Sequence, residues 1–113
     1  MNIQIFGKSK SFDTKKAERY FKERGIKYQY IDLASKGMSK GELDSVLKAV
    51  GDIEKLIDPK AKGSAADLIK YLGSTEEKRE KLLEEPSLIA APVVRNGRQA
   101  TVGFCPEVWK GWE

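Results

Sequence analysis

The sequence predicts a single α/β domain spanning residues 1–113, organised around a mixed four-stranded sheet. Three observations predict it. Two short runs of alternating polar and apolar residues flank an amphipathic segment near the N-terminus; an Asn96-Gly97 turn joins two β-forming runs near the C-terminus; and a series of helix-start signals lies between them. A chain this long buries roughly 65% of the surface its unfolded form exposes, enough to fold around one core without covalent staples.

Asn2 to Phe6 alternates polar and apolar side chains, the period of a short strand, and Gly7 punctuates its end. Asp13 or Thr14 is placed to cap a helix whose apolar side is Ala17, Tyr20 and Phe21, with Gly25 as its stop. Lys27 to Leu33 alternates again and reads as a second strand, parallel to the first across a right-handed helical crossover. Residues 39–85 then form a helical insert marked by three capping pairs: Ser39 with Glu42, Ser64 with Asp67 and Ser74 with Glu77. The first of these helices carries Leu43, Val46, Leu47 and Val50 before Gly51, and the second carries Ala65, Leu68, Ile69 and Leu72 before Gly73. The third runs to about Glu85, before Pro86, and Asp52 to Ile57 reads as a short helical turn. Pro92–Arg95 and Gln99–Phe104 flank Asn96-Gly97 as a hairpin, and Pro106 opens a last helix holding Val108, Trp109 and Trp112, the two tryptophans on a core-facing stripe. This order, β-α-β, a helical insert, then β-β-α, is the thioredoxin order, and no repeat or linker divides the chain.

Composition removes several kinds of chemistry. There is no histidine and only one cysteine, Cys105, so His-based triads, a disulfide framework and the usual zinc and other transition-metal ligand sets are absent, and neither a metal nor a bound cofactor is expected. Twenty-one Lys and Arg against 17 Asp and Glu give a net charge of +4, distributed among acidic residues along helical segments, which reads as solvated helix faces rather than a direct nucleic-acid groove. No apolar run is long enough to cross a bilayer, and the first ten residues lack the order of a signal peptide, so a cytoplasmic protein away from the membrane is expected.

The run Gly7-Lys8-Ser9-Lys10-Ser11-Phe12-Asp13-Thr14-Lys15-Lys16-Ala17 resembles the N-terminal motif of the arsenate reductase (ArsC) and Spx family, a glutaredoxin-related branch of the thioredoxin-like fold. Gly25-Ile26, Asp32, Gly37-Met38-Ser39, Leu88-Ile89, Pro92-Val93-Val94 and Gly103-Phe104 extend the likeness over nearly the whole chain. In that family the reactive cysteine follows the strand-ending glycine by four residues, at the start of the first helix. Here that position is Ser11.

A helix start presents unpaired N–H groups and about half a positive charge, which stabilise a thiolate or an oxyanion. A cysteine there is a nucleophile. A serine keeps the shape and the hydrogen bond but not the reactivity, because its hydroxyl needs a base that this chain does not supply as histidine. Lys8, Lys10 and Lys15 lie in an exposed basic stretch, where lysines stay protonated. Ser11 is thus a plain helix cap, an anion-binding residue, or the place of a thiol lost naturally or by substitution.

The resemblance implies a native thiol–disulfide reductase using glutathione, another small thiol or a protein disulfide, inactive in the Ser11 form. It places substrate among Lys8, Lys10, Phe12, Ala91 and Pro92, with Pro92 as a cis residue facing the helix start. The arginines that hold arsenate in the family match Asp58, Ala91 and Phe104 here, so the oxyanion clamp is missing. Cys105 reads as a small buried hydrophobe, or as a resolving thiol if residue 11 were cysteine. The alternative that the resemblance offers is an Spx-like transcriptional regulator that binds RNA polymerase through the C-terminal domain of its α chain. The Cys-x-x-Cys switch of such regulators corresponds to Ser11 and Thr14, so docking would occur without the switch.

Overall fold

The computed structural model describes residues 1–113. The opening alternation forms β1 (Ile3–Gly7), followed by α1 (Phe12–Glu23) and β2 (Tyr28–Asp32). The insert contains α2 (Lys40–Val50), a 3-10 turn at Ile53–Leu56, α3 (Ser64–Tyr71), α4 (Thr75–Glu84) and a second 3-10 turn at Pro86–Leu88. The chain closes with β3 (Val93–Asn96), β4 (Gln99–Val102) and α5 (Pro106–Lys110). The sheet order is β2-β1-β3-β4; β1 runs parallel to β2, with Ile3 beside Tyr28, and antiparallel to β3, with Ile5 beside Val94. This is the mixed four-stranded sheet that the element order predicts. No helix is long and apolar enough to cross a membrane.

The two-residue period of β1 distributes its side chains between two cores. Ile3 and Ile5 pack with Ala17, Tyr20 and Phe21 of α1, Val94 and Trp109 on one face of the sheet. Phe6 points the other way, into the larger cluster that contains Leu43, Val46, Leu56, Ile69, Leu82 and Leu88 of the insert. Trp109 is fully buried, its Nε1–H donates to Thr101 Oγ1 at 2.9 Å, and it meets Tyr20 edge-on, while Trp112 lies just past α5 and packs beside it.

Helix boundaries differ from the sequence reading in ways that follow from capping chemistry. Ser11, not Asp13 or Thr14, is the cap of α1: its Oγ accepts the Thr14 N–H at 3.1 Å, and Asp13 and Thr14 are already in the first turn. The Ser39–Glu42 box closes in both directions. Ser74 accepts from the Glu77 N–H but gives its own hydroxyl to the Glu77 carboxylate, so that box is half made. Ser64 does not cap at all, because Gly63 at φ 106° occupies the cap position and Ser64 is the first helical residue. Gly51 ends α2 in the left-handed conformation, whereas α3 ends on Leu72 in extended backbone, without a glycine cap at Gly73. The last strand stops at Val102, two residues short of the predicted run, where Gly103 turns the chain at φ 88°.

Gly7 sets how closely α1 approaches the sheet. A Cβ at this position would lie 2.4 Å from the Thr14 methyl and 2.9 Å from the Tyr30 ring. Thr14 is buried there, and its Oγ1 receives the Lys8 N–H at 3.3 Å. Gly7→Ala is expected to cost about 1–3 kcal/mol by overpacking. Thr14→Ser, which removes the obstructing methyl, should recover part of that loss. Thermal denaturation of the single and double variants checks this, and an unchanged melting temperature for Gly7→Ala would contradict it.

Candidate functional site

The short loop between β1 and α1 is held at both ends, so the helix start is fixed in direction. The Ser11 N–H donates to the Lys8 carbonyl at 3.0 Å, and the Lys15 N–H returns to the Ser11 carbonyl as the first helical bond. With Thr14 N–H taken by Ser11 Oγ, the Phe12 and Asp13 N–H groups are the ones left without an acceptor in the chain. They stand at the mouth of a cleft of about 580 Å³ that is also lined by Lys8, Lys10, Ser11, Asp58, Pro59, Lys60, Ala90 and Ala91.

The opposite wall comes from two distant segments stitched together. The Ala90 N–H donates to the Leu56 carbonyl at 2.7 Å, the Asp58 N–H to the Leu88 carbonyl at 2.8 Å, and Ile57 pairs with Ile89 between them. This brings Asp58-Pro59-Lys60 and Ala90-Ala91 to one side of the cleft. The Ala91-Pro92 bond is cis, as the family likeness implies. The Pro92 carbonyl accepts the Gly103 N–H at 2.8 Å, while the Ala91 N–H and carbonyl have no partner within the chain.

Of the residues singled out in the sequence, the structure therefore gathers Lys8, Lys10, Ser11, Phe12 and Ala91 around one cleft, with Pro92 immediately behind Ala91. Asp58 joins them, whereas Phe104 packs edge-on against Trp109 with the Lys16 ammonium 5.8 Å from its ring centre. Lys8 does not extend freely into the cleft. Its Nζ donates to Asp58 Oδ2 at 2.9 Å and to the Ser87 carbonyl at 2.7 Å. Burial raises the Asp58 carboxyl and is the largest single influence, but the Lys8 hydrogen bond, the Lys60 N–H and the charges of both lysines together hold it below the ordinary aspartate range. Pro59 and Lys60 were not singled out in the sequence; the Asp58-Pro59 pair, a turn former after an apolar run, is the local signal that marks this segment.

Cys105 immediately precedes α5 and packs against the Ile3–Trp109 cluster, outside the residues lining the cleft. Its Sγ–H donates to the Val102 carbonyl at 3.4 Å. Burial pushes this thiol up, with the nearby Glu107 and Asp13 charges adding to the effect and a hydrogen bond with Thr101 opposing it. No group of three or more His, Cys, Asp or Glu side chains is positioned to hold a metal ion.

A mixed sheet in the order β2-β1-β3-β4, with a helical insert between its second and third strands in the chain, is the thioredoxin-like fold. The solved structures with this fold include an ArsC-family-related protein from Bacteroides fragilis, at TM-score 0.85 and 21% identity over 100% of this chain and 98% of that one. They also include an arsenate reductase from Vibrio cholerae, at TM-score 0.80 and 22% identity over 96% and 94% of the two chains. An arsenate reductase (ArsC) related protein from Brucella melitensis matches at TM-score 0.64 and 25% identity, over 99% and 94%. The structural neighbours are thus ArsC-type arsenate reductases and related proteins. No protein-family model and no curated protein sequence matches the chain.

Two measurements check this geometry. A carboxylate held below its ordinary value stabilises the fold above its unfolded pKa of about 3.9 and loses that contribution as pH falls through the lower folded value. Asp58→Asn is therefore expected to lose less stability than the parent chain as pH drops below about 4; parallel acid limbs in melting temperature would contradict the Lys8–Asp58 pair. Cys105, raised by burial, is expected to alkylate at neutral pH several-fold more slowly than a free cysteine, with its titration midpoint above about 8.5. Alkylation at the rate of free cysteine would overturn that placement.

Proposed function

We propose that the chain is a thioredoxin-like protein of the arsenate reductase type whose cleft is shaped for thiol–disulfide exchange. Its ligands are a small thiol such as glutathione or a protein disulfide, bound in the Ser11 form without exchange. The observation that carries this reading is Ser11 itself: it caps α1 beside two N–H groups that have no acceptor, across a cleft from Ala91 and its unpaired peptide groups. A thiol at that position would be stabilised as thiolate by the helix end and its free donors. A serine hydroxyl is not, and the nearby Lys8 is engaged by Asp58 and Ser87 rather than free to accept a proton.

Arsenate is a poor candidate for the ligand. Asp58 brings a carboxylate into the cleft and Ala91 a methyl group, at positions where the family likeness calls for arginine. An extended thiol-bearing ligand instead has the Ala91 N–H and carbonyl to pair with and Lys10 and Lys60 to meet its carboxylates. Nothing in the cleft or in the matched structures favours the RNA polymerase alternative.

The restoring experiment is Ser11→Cys in a Cys105→Ser background. The new thiolate attacks one sulfur of glutathione disulfide, forms a mixed disulfide with the protein and releases glutathione thiolate, so electrons balance without a further oxidant. Exchange at neutral pH is expected about tenfold or more faster than for a control cysteine placed at the exposed Ser35. Equal rates would overturn the proposal.

A further inference from the structure

The positive charge of this chain is less evenly spread in three dimensions than along the sequence. Helix α1 carries four exposed cations, Lys15, Lys16, Arg19 and Lys22, along the side that also exposes Phe12 and Glu23; of its other two carboxylates, half-buried Asp13 meets Lys16 and half-buried Glu18 accepts the Tyr28 hydroxyl. Lys16 reaches Asp13 at 4.0 Å, but Lys15, Arg19 and Lys22 have no carboxylate within that distance. The cations of α4 contrast with these: Lys78 pairs with Glu54, and Arg79 holds Asp44 through two nitrogens. The row of unpaired cations starts at the cleft, because Phe12, 79% exposed, lines its mouth, and the Lys15 ammonium lies 5.9 Å from the Phe12 ring centre.

Resting on the thiol-exchange reading above, we propose that this face docks an extended acidic segment of a protein partner whose disulfide enters the cleft, so that the intended substrate is a protein rather than free glutathione. Three features select this occupant. Lys15 and Arg19 are one helical turn apart, about 6 Å along the axis, close to the roughly 6.7 Å between alternate residues of an extended peptide, so successive carboxylates on one side of a strand meet successive cations. The distance from Phe12 to Lys22, about 15 Å, accommodates about five extended residues, a segment rather than a small molecule. At the cleft end the lining mixes Lys8, Lys10 and Lys60 with Asp13 and Asp58, so the run of exposed cations is confined to α1, which suits a peptide that carries its carboxylates there better than a continuous phosphate backbone.

The test uses the full chain and a fluorescein-labelled peptide of alternating Glu and Ser with a central cysteine. Binding is expected to weaken at least tenfold in Lys15→Glu/Arg19→Glu, several-fold in Lys15→Gln/Arg19→Gln, and not at all in Lys40→Glu, a charge reversal on α2; it should also weaken with salt. The neutralising pair keeps the test decisive should charge reversal disturb folding. Unchanged peptide binding in both double variants overturns the proposal. So does equal or tighter binding of a single-stranded oligonucleotide of the same charge, lost through the same substitutions. In the Ser11→Cys, Cys105→Ser background, the mixed disulfide of this peptide with glutathione should exchange faster than that of a neutral peptide, with the advantage lost in Lys15→Glu/Arg19→Glu while exchange with glutathione disulfide persists. Exchange with glutathione disulfide but no preference between the peptides overturns the docking surface alone. No exchange with any disulfide, alongside intact peptide binding, overturns the thiol reading and upholds the docking surface.

Discussion

The contact between Gly7 and Thr14 fixes the helix-start side of the site, the side that the rest of the cleft faces. Because residue 7 has no side chain, the buried threonine of α1 seats directly against the end of the central strand, and the four residues between β1 and α1 must turn tightly enough for Ser11 to cap the helix. The cap then leaves just the Phe12 and Asp13 donors open, across the cleft from the peptide groups of Ala91. A single hydroxyl, held at this point by hydrogen bonds worth of order 1 kcal/mol each, gains its significance from the rigidity of the strand and helix on either side.

The electrostatics of the cleft differ from those of a plain oxyanion receptor. Positive charge is present in Lys8, Lys10 and Lys60, yet the innermost lysine is neutralised by Asp58 and tied down by the Ser87 carbonyl. The free donors are therefore backbone N–H groups and the more peripheral ammonium groups. In the proposed reading such a site takes a ligand with dispersed carboxylates and a peptide backbone rather than a compact, highly charged anion, and the unpaired cations along α1 extend that proposal outside the cleft.

Local signals in the sequence carried most of the fold. The alternation of Asn2–Phe6, the Asn96-Gly97 turn and the Ser39–Glu42 box each depend on residues a few positions apart, and each forms where those residues predict it. The misplaced helix starts have a local cause as well: serines next to a glycine or a competing cap, as at Ser64 and Ser11, leave more than one start that satisfies the backbone. The cis Ala91-Pro92 bond was legible through family likeness, which also put Ser11 at the helix start that it caps, whereas the Lys8–Asp58 pair joins residues 50 positions apart and has no signature in sequence spacing. The same holds for α1. Its basic residues are plain in the sequence, but their lack of carboxylate partners is a property of the folded surface alone.

Thiol exchange in this cleft requires position 11 to be an electropositive seat for a sulfur anion. The most direct measurement is the thiol pKa of Ser11→Cys with Cys105→Ser, followed by thiolate absorbance. A midpoint below about 7.5, as for thiols at helix N-termini, is the expected result. A midpoint at or above the free-cysteine value of about 8.5 would contradict it.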